Sequence, residues 1–352
     1  MTTRSYILTF YLVLFIKILF LGYVLCFGIY EFSEGNDADY YNSYAIGEND
    51  VAQNLWPVML RFLNDHQLYN RGFITGLMSL LGALIIPLLF ANIARIDRGD
   101  VGRKVFWMVA VCVSLYPTLF YFSFDIYRDV FMLFCFCLAA KTAQSFFLSR
   151  KILKSSLLFF ITCALSYLLF LLRPYLGVAF LLAFFAVHIY DMPKRSVYSV
   201  CFLILFSLTA IFYLGLLEPL MKYRSMFSEQ DQAGSNLGIV YDSVVTFPLK
   251  FVLSFLYQMC GFFIVNVSSL IVLIIESIPF LFFLMYLIIN RKYGDKFVSF
   301  LLLFFVIYSA VWLLGNDNLG TAVRLRMHSY AAILICCSIV FQYKQHNNLV
   351  EE

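Results

Sequence analysis

The stretch GNDNLGTAVRLRMHS, residues 315–329, joins two long apolar runs at 298–314 and 328–343. A helix needs about 20 mainly apolar residues to cross roughly 30 Å of hydrocarbon, so the two runs predict two membrane helices with a short polar connection. That connection carries Arg324 and Arg326. The expected orientation places both on the outer side, where lysine and arginine are normally scarce. We therefore expect this connection to have a function besides joining the two helices.

The same pattern recurs along the whole chain. Hydrophobic residues make up 62% of its 352 residues and charged residues 13%, whereas soluble domains are about 45–50% apolar. We therefore predict an all-α, polytopic integral membrane protein, with residues 1–352 forming a single domain in the lipid bilayer. Ten or eleven spans are expected, and one of the two between 249 and 290 either crosses or re-enters the membrane. The predicted spans are 6–28, 73–94, 105–123, 129–147, 155–172, 174–190, 197–217, 249–270, 271–290, 298–314 and 328–343.

The distribution of basic residues predicts the orientation. If both termini are cytoplasmic, short basic loops such as 94–104 and 291–296 lie inside, as the positive-inside rule requires. Two long polar loops, 29–72 and 218–248, then lie outside, and such loops on rigid helices commonly carry function. Seven of the nine outward cations are arginines, which favours bidentate binding of phosphate or carboxylate, although a chance bias in a small sample is the alternative. The nine are Arg61, Arg71, Arg128, Arg173, Lys222, Arg224, Lys250, Arg324 and Arg326.

Two carboxylates in the first outer loop are candidate catalytic groups. Asp37 and Asp39 lie two residues apart in the segment NDADYYNSYA, and Tyr40 follows them. A carboxylate there could deprotonate a sugar hydroxyl or bind a divalent cation. A solvated acidic loop is the alternative. No cysteine or histidine spacing predicts a dedicated metal centre or a cofactor.

Arginines in three further turns are candidate anion ligands. Arg128 lies close to Asp125 and Asp129, so a local ion pair is the alternative there. Arg173 precedes a proline and the aromatic ring of Tyr175, and an arginine in such a turn could instead reach lipid phosphates. The other candidates are Arg224, in the second outer loop, and the pair Arg324 and Arg326.

Three further expectations concern the membrane interior and the 315–329 connection. Lys17 and Glu276 lie within apolar runs, where an ionisable group is costly, so we expect them to pair or to face a polar cavity. Residues i and i+2 point to different sides of a helix. If 320–328 is regular helix, only one of Arg324 and Arg326 is expected to bind a ligand, and the other is expected to face lipid headgroups.

Four short motifs carry a resemblance to a known family. They are DADYYNSYA (37–45), the hairpin with Tyr116–Pro117, Ser123 and Arg128–Asp129, the turn LRPY (172–175) and NLGTAVRLR (318–326). With the helical layout, these resemble bacterial Wzy-type polysaccharide polymerases and, more distantly, GT-C-type glycosyltransferases that use polyprenyl-phosphate sugars. One departure concerns the polymerases' Arg-ten residues-Gly pattern, because Arg224 and Gly234 enclose nine residues here.

The resemblance implies a function at the periplasmic face of the bacterial inner membrane. The chain would join undecaprenyl-pyrophosphate-linked oligosaccharides into O-antigen or capsule, with Asp37 or Asp39 as the base. Arg128, Arg173, Arg224, Arg324 and Arg326, with Tyr40 and Tyr175, would hold the pyrophosphate and sugar. A chain-length regulator is an expected partner, and nucleic acid is not. The alternatives are a GT-C enzyme that adds one sugar and a transporter or lipid flippase in which Lys17 and Glu276 couple.

Overall fold

The computed structural model describes residues 2–27, 37–229 and 235–351. It is 80% helical and contains no strand in these ranges, which confirms the all-α membrane class. The principal helices are α1 (Thr3–Phe27), α2 (Asp37–Ala45), α3 (Leu55–Asp65), α4 (Arg71–Ala94), α5 (Asp100–Ser114), α6 (Pro117–Phe122), α7 (Arg128–Leu148), α8 (Ile152–Leu172), α9 (Pro174–Ala186), α10 (Val197–Tyr213), α11 (Glu218–Glu229), α12 (Phe247–Ser254, continued by a π-helical turn Phe255–Met259), α13 (Val267–Tyr293), α14 (Lys296–Gly315) and α15 (Leu319–Glu351).

Fewer helices than predicted are long enough to cross a membrane. Within the described ranges, α1, α4, α7, α8, α13, α14 and α15 meet the length and apolarity of a span, and α10 with α11 would make an eighth although they bend by 88°. The predicted span 105–123 is divided into α5 and α6 because Pro117 lacks the backbone N–H that a continuous helix needs. The predicted span 174–190 is a helix of 13 residues.

Residues 1–181 form the first of two compact units. In it α1 packs against α5, α4 packs against α5 and α7, and α7 packs against α8, while α2 and α3 pack on each other. A π-helical turn in α4 carries Gly82, where an added Cβ would lie 1.8 Å from Ser123 Oγ. The hydroxyl of Ser79, one turn earlier, donates to the Ser123 carbonyl at 2.7 Å. The α6–α7 turn is thereby fixed against the middle of α4.

Residues 182–352 form the second compact unit. Its core is built by α13, α14 and α15, with Tyr308 and Trp312 fully buried on α14. Helices α13 and α15 run in the same direction, because Phe280 stacks on Tyr330 at 4.0 Å and Lys344 donates to Asn290 farther along both helices. Helix α12 and its π-helical turn comprise 13 residues, or about 20 Å, which is too short to cross the bilayer. The predicted crossing at 249–270 is therefore not a continuous helix.

Candidate functional site

A shared arginine links two carboxylates in the first unit. Arg71, the first residue of α4, forms a two-point pair with Asp125 in the α6–α7 turn, at 2.7 Å from Nη2 and 3.1 Å from Nε. Its remaining nitrogen, Nη1, lies 2.9 Å from Oδ1 of Asp39 on α2. The Asp125 side chain is 6% exposed and that of Asp39 is 57% exposed. Arg71 is thus held from the buried side and presents a donor to an accessible carboxylate.

Local interactions explain why these three residues meet. The Asn70 side chain caps α4 by accepting from the Phe73 N–H, so the helix begins at Arg71. Asp125 also accepts from the Ile126 N–H at 2.8 Å, which fixes its carboxylate orientation. The indole of Trp56 on α3 donates to the Ile126 carbonyl at 2.8 Å. The turn between α6 and α7 is therefore bound by α3 and α4 together.

Asp39 retains unused acceptor capacity. Only its Oδ1 is engaged, by Arg71, and Oδ2 has no hydrogen bond within the described residues. Because a carboxylate can accept several hydrogen bonds, Oδ2 of Asp39 can accept a proton or a hydrogen bond from a molecule on the solvent side. Asp37 lies in the same first turn of α2, two positions earlier, and is less exposed. The described residues contain no group of three or more ligating side chains that could hold a metal, and the cation considered for Asp37 and Asp39 stays a prediction.

Arg128 differs from the other candidate arginines of this unit. Its Nη1 donates to the Leu172 carbonyl at 3.1 Å, while its buried Nε has no hydrogen-bond partner within the described residues. The local ion pair considered for Arg128 is not formed, because Asp125 pairs with Arg71, and Asp129 with Arg173 at 3.4 Å. Within the described residues, Arg128 therefore keeps a positive charge that no carboxylate compensates.

The two tyrosines proposed as sugar platforms have contacts within the protein. The Tyr40 hydroxyl donates to the Val51 carbonyl at 2.7 Å and accepts from the Gln53 N–H at 2.9 Å, so it holds the connection between α2 and α3. The ring of Tyr175 lies 5.8 Å from the Arg173 guanidinium. Their role in sugar binding stays a prediction.

In the second unit, Arg224 is buried in a network of acceptors. Its Nε donates to the Ile239 carbonyl at 2.8 Å, Nη1 donates to the Leu313 carbonyl at 3.1 Å, and Nη2 pairs closely with Asp317. Its side chain is 5% exposed. Five donors in a planar guanidinium suit such a network. The protein itself thus supplies the acceptors that we expected a pyrophosphate to supply.

Residues 316–319, which connect α14 and α15, bind a short extended segment, residues 235–241, which we call the strap. The Leu237 N–H donates to the Asp317 carbonyl at 2.9 Å, and the Leu319 N–H donates to the Ser235 carbonyl at 3.0 Å. The Gly238 N–H donates to the Asp317 carboxylate at 2.9 Å. The polar residues GNDN therefore hold the strap on the end of α14.

Arg324 and Arg326 lie within regular helix, because α15 begins at Leu319. Arg326 is buried, lies 3.2 Å from Glu276 and faces the Tyr330 ring at 5.2 Å. Arg324 is half-buried. Of the pair, Arg326 has its charge compensated inside the protein, so Arg326 is not the arginine that faces lipid headgroups, and ligand binding by Arg324 stays a prediction.

Glu276 and Lys17 have different surroundings. Glu276 pairs with Arg326, as described above. Lys17 Nζ is buried 5.6 Å from the centre of the Phe120 ring and has no hydrogen-bond partner within the described residues. A cation over an aromatic ring is stabilised by the ring quadrupole. Within the described residues the ion pair expected for Lys17 is therefore not formed, and the contact with the Phe120 ring takes its place.

Arg71 is the site residue that sequence reasoning missed. It appears among the outward cations but was given no role, although the preceding Asn70 is a typical helix N-cap and predicts a fixed helix start there. Its partner Asp125 lies 54 residues away, a distance at which a single sequence gives no pairing signal. No protein-family model, curated protein or solved structure matches this chain.

Proposed function

We propose that the chain is a glycosyltransferase of the bacterial inner membrane that uses polyprenyl-linked sugars at the periplasmic face. In its first form it joins undecaprenyl-pyrophosphate-linked repeat units into O-antigen or capsule, as the Wzy-type resemblance implies. The observation that carries the proposal is the exposed carboxylate of Asp39, held at 2.9 Å by Arg71. When a sugar hydroxyl attacks the donor, a general base must accept its proton. A carboxylate that is held in place and keeps one unengaged oxygen can do this.

The proposed reaction assigns one step to each of two residues. Asp39 accepts the proton of the acceptor hydroxyl as its oxygen bonds to the anomeric carbon of the donor sugar. The bond between that carbon and the pyrophosphate oxygen breaks, and the electron pair leaves with undecaprenyl pyrophosphate. Arg128, whose charge no carboxylate compensates within the described residues, stabilises the developing negative charge. Electrostatic stabilisation of this kind is usually the largest single contribution to catalysis.

A second candidate is a GT-C-type enzyme that adds a single sugar from a lipid monophosphate. One observation favours it: Arg173, Arg224 and Arg326 already pair with Asp129, Asp317 and Glu276. Three of the five arginines assigned to pyrophosphate therefore have their charge compensated. A donor with one phosphate needs fewer cationic ligands than a donor with two.

The surface-glycan pattern of a strain that lacks the protein separates the two forms. Loss of the polymerase should leave lipopolysaccharide or capsule with one repeat unit, whereas loss of a single-sugar transferase should leave a full ladder in which each unit lacks one sugar. Complementation with Asp39→Asn should reproduce the deletion pattern, and Asp50→Asn should restore the wild-type pattern. Asp50 is a suitable control because it lies between α2 and α3, is 85% exposed and forms only a surface pair with Arg61. An unaltered glycan in the deletion strain would exclude both forms.

A further inference from the structure

Helix α12, in the second unit, begins near the end of the helix bundle where α14 stops and α15 begins. Just past its middle, the Ser254 hydroxyl donates to the Leu313 carbonyl at 3.0 Å. One turn later, Gln258 donates to the Asn316 carbonyl at 3.1 Å. Its last carbonyl, that of Met259, accepts from the hydroxyl of Tyr330, which lies eleven residues into α15. The helix therefore descends from the end of the bundle towards its interior.

The chain then reverses and returns to the end from which it came. Gly261 has φ +73°, a conformation that side chains rarely adopt, and an added Cβ would lie 2.6 Å from Ser277 Oγ. Residues 261–265 are extended up to Asn266, which caps α13 by accepting from the Ser269 N–H. Ser277 is ten residues below Val267 on α13, or about 15 Å at 1.5 Å per residue. Residues 247–266 thus form a re-entrant loop.

The deepest part of this loop lies within the expected hydrocarbon layer. Helix α13 has 27 residues, or about 40 Å, and its far end carries Arg291 and Lys292. Counting about 20 residues back from that basic end places the opposite limit of the hydrocarbon near residue 270. Ser277, and Gly261 beside it, lie on the hydrocarbon side of that limit.

The returning arm exposes backbone groups at this depth. Neither the N–H groups of Phe263 and Ile264 nor the carbonyls of residues 261–265 have a hydrogen-bond partner within the described part of the chain. Phe262, next to Gly261 at the deepest point, is 47% exposed and Ile264 is 51% exposed, so no neighbouring element covers the arm at either position. Lipid offers no hydrogen bonds, and non-helical backbone at membrane depth occurs only where protein buries it or where it lines a water-filled cavity. Burial does not apply to this arm.

We propose that residues 261–266 line a water-filled cleft that reaches from the Asn266 end of α13 towards the Arg326–Glu276 pair. Arg326 Nη1 would lie 3.2 Å from a Cβ at Gly261, so the pair is next to the bottom of the cleft. Water in the cleft satisfies the backbone of the arm and reduces the cost of a charged pair inside the membrane. Small hydrophilic solutes can enter it. The proposal concerns the second unit alone and does not depend on the proposed glycosyl transfer.

Cysteine accessibility tests this proposal in the full chain within its membrane. Phe262→Cys, next to Gly261 at the bottom of the proposed cleft, is treated with a membrane-impermeant, positively charged methanethiosulfonate. Modification is followed by peptide mass spectrometry, so the native cysteines stay in place. Phe282→Cys on α13 is the matched control, because it is 71% exposed at hydrocarbon depth on a regular helix. Val245→Cys, 88% exposed just before α12, is the control for the accessible end.

Only a thiolate reacts, and a thiol in an apolar environment stays protonated. We therefore expect Phe262→Cys to react at least about ten times faster than Phe282→Cys, from the same side of the membrane as Val245→Cys. Intact cells and inverted vesicles are both tested, so either orientation gives a result. Equal rates for Phe262→Cys and Phe282→Cys in both preparations would overturn the proposal. If Phe262→Cys does not yield a monodisperse protein, Phe263→Cys replaces it with the same two outcomes.

Discussion

Arg71 donates to Asp39 at 2.9 Å from the one guanidinium nitrogen that Asp125 does not use. A planar guanidinium held at two points has little freedom left, so its third nitrogen has a defined direction. Asp39 consequently has a fixed position although more than half of its side chain is exposed. This combination distinguishes Asp39 from an acidic residue in a solvated loop.

Replacing Asp39 with asparagine should remove activity without unfolding the protein. The substitution keeps the shape of the side chain but lowers its basicity, so we expect transfer of sugar to fall by about 10²–10⁴-fold. Thermal stability in detergent should remain close to that of wild type, because the Asp39 side chain is largely exposed. Full activity of purified Asp39→Asn on a lipid-linked donor would contradict the assignment of Asp39 as the base.

Replacing Asp125 with alanine should destabilise the first unit. The change leaves Arg71 partly buried without its two-point partner, and loss of one member of a buried pair costs up to about 3–5 kcal/mol. We expect the lower part of that range, because the Arg71 side chain keeps some exposure and its contact with Asp39. Equilibrium unfolding in mixed micelles measures the change.

A double-mutant cycle then separates the ion pair from the packing of either side chain. If Arg71→Leu and Asp125→Leu change the free energy of unfolding additively, the two residues are not coupled, contrary to the observed pairing.

Replacing Arg128 with glutamine should affect turnover more than folding. Arg128 forms no ion pair within the described residues, so its loss leaves no carboxylate uncompensated, whereas loss of one donor to a developing oxyanion costs about 10²–10³-fold in kcat. Arg128→Lys should recover part of the activity, since it keeps the charge but not the planar fork. Arg61→Gln is the matched control, because Arg61 pairs at the surface with Asp50. Equal losses for Arg128→Gln and Arg61→Gln would remove Arg128 from the mechanism.

Replacing Gly261 with alanine should destabilise the second unit. The positive φ and the 2.6 Å approach of Ser277 Oγ both oppose a Cβ, and such strain costs about 1–3 kcal/mol. Gly76→Ala is a control with the opposite expectation, because no atom lies within 4 Å of an added Cβ there and alanine stabilises a helix by about 0.5–1 kcal/mol relative to glycine. Thermal unfolding of the two variants in one detergent compares them directly.

Replacing Asp317 with alanine should loosen the strap, residues 235–241. Arg224 and the Gly238 N–H both lose their carboxylate acceptor, so the strap should be cut more readily by a protease added to reconstituted protein. Asp191→Ala is the control, because Asp191 pairs with Lys194 at the surface and neither residue forms a hydrogen bond with the strap within the described part of the chain. Equal cleavage rates in the two variants would show that Asp317 does not hold the strap.

The sequence predicts the membrane class well, because composition and hydropathy indicate directly whether a helix is surrounded by lipid or by water. It overestimates the number of continuous spans, since a hydropathy window responds to apolar residues and not to the breaks at Pro117 or Gly261. The reversal at Gly261 depends on a backbone angle that apolar neighbours do not reveal. Between 249 and 290 the sequence also allows a re-entrant segment, and that alternative stays a prediction.

The candidate site was predictable in its residue types but not in its pairings. Charge and position make Asp39 and Arg128 candidates from the sequence, and the structure gives both of them unused hydrogen-bonding capacity. Arg224 is a candidate on the same grounds, yet apart from the Ile239 carbonyl its acceptors lie 89 to 93 residues later in the chain. Such long-range contacts decide which arginines already have their charge compensated by the protein. No local sequence pattern predicts these contacts.

The absence of a side chain at Gly82 determines the position of a charge 43 residues later in the chain. Ser123 occupies the space that a Cβ of residue 82 would fill, and Asp125 follows two residues later in the same turn. Any larger residue at position 82 must displace Ser123 from α4, and with it the turn whose carboxylate orients Arg71. A variant in the middle of an apolar helix could therefore behave as a catalytic variant: normally inserted, fully helical and unable to hold Asp39 in place.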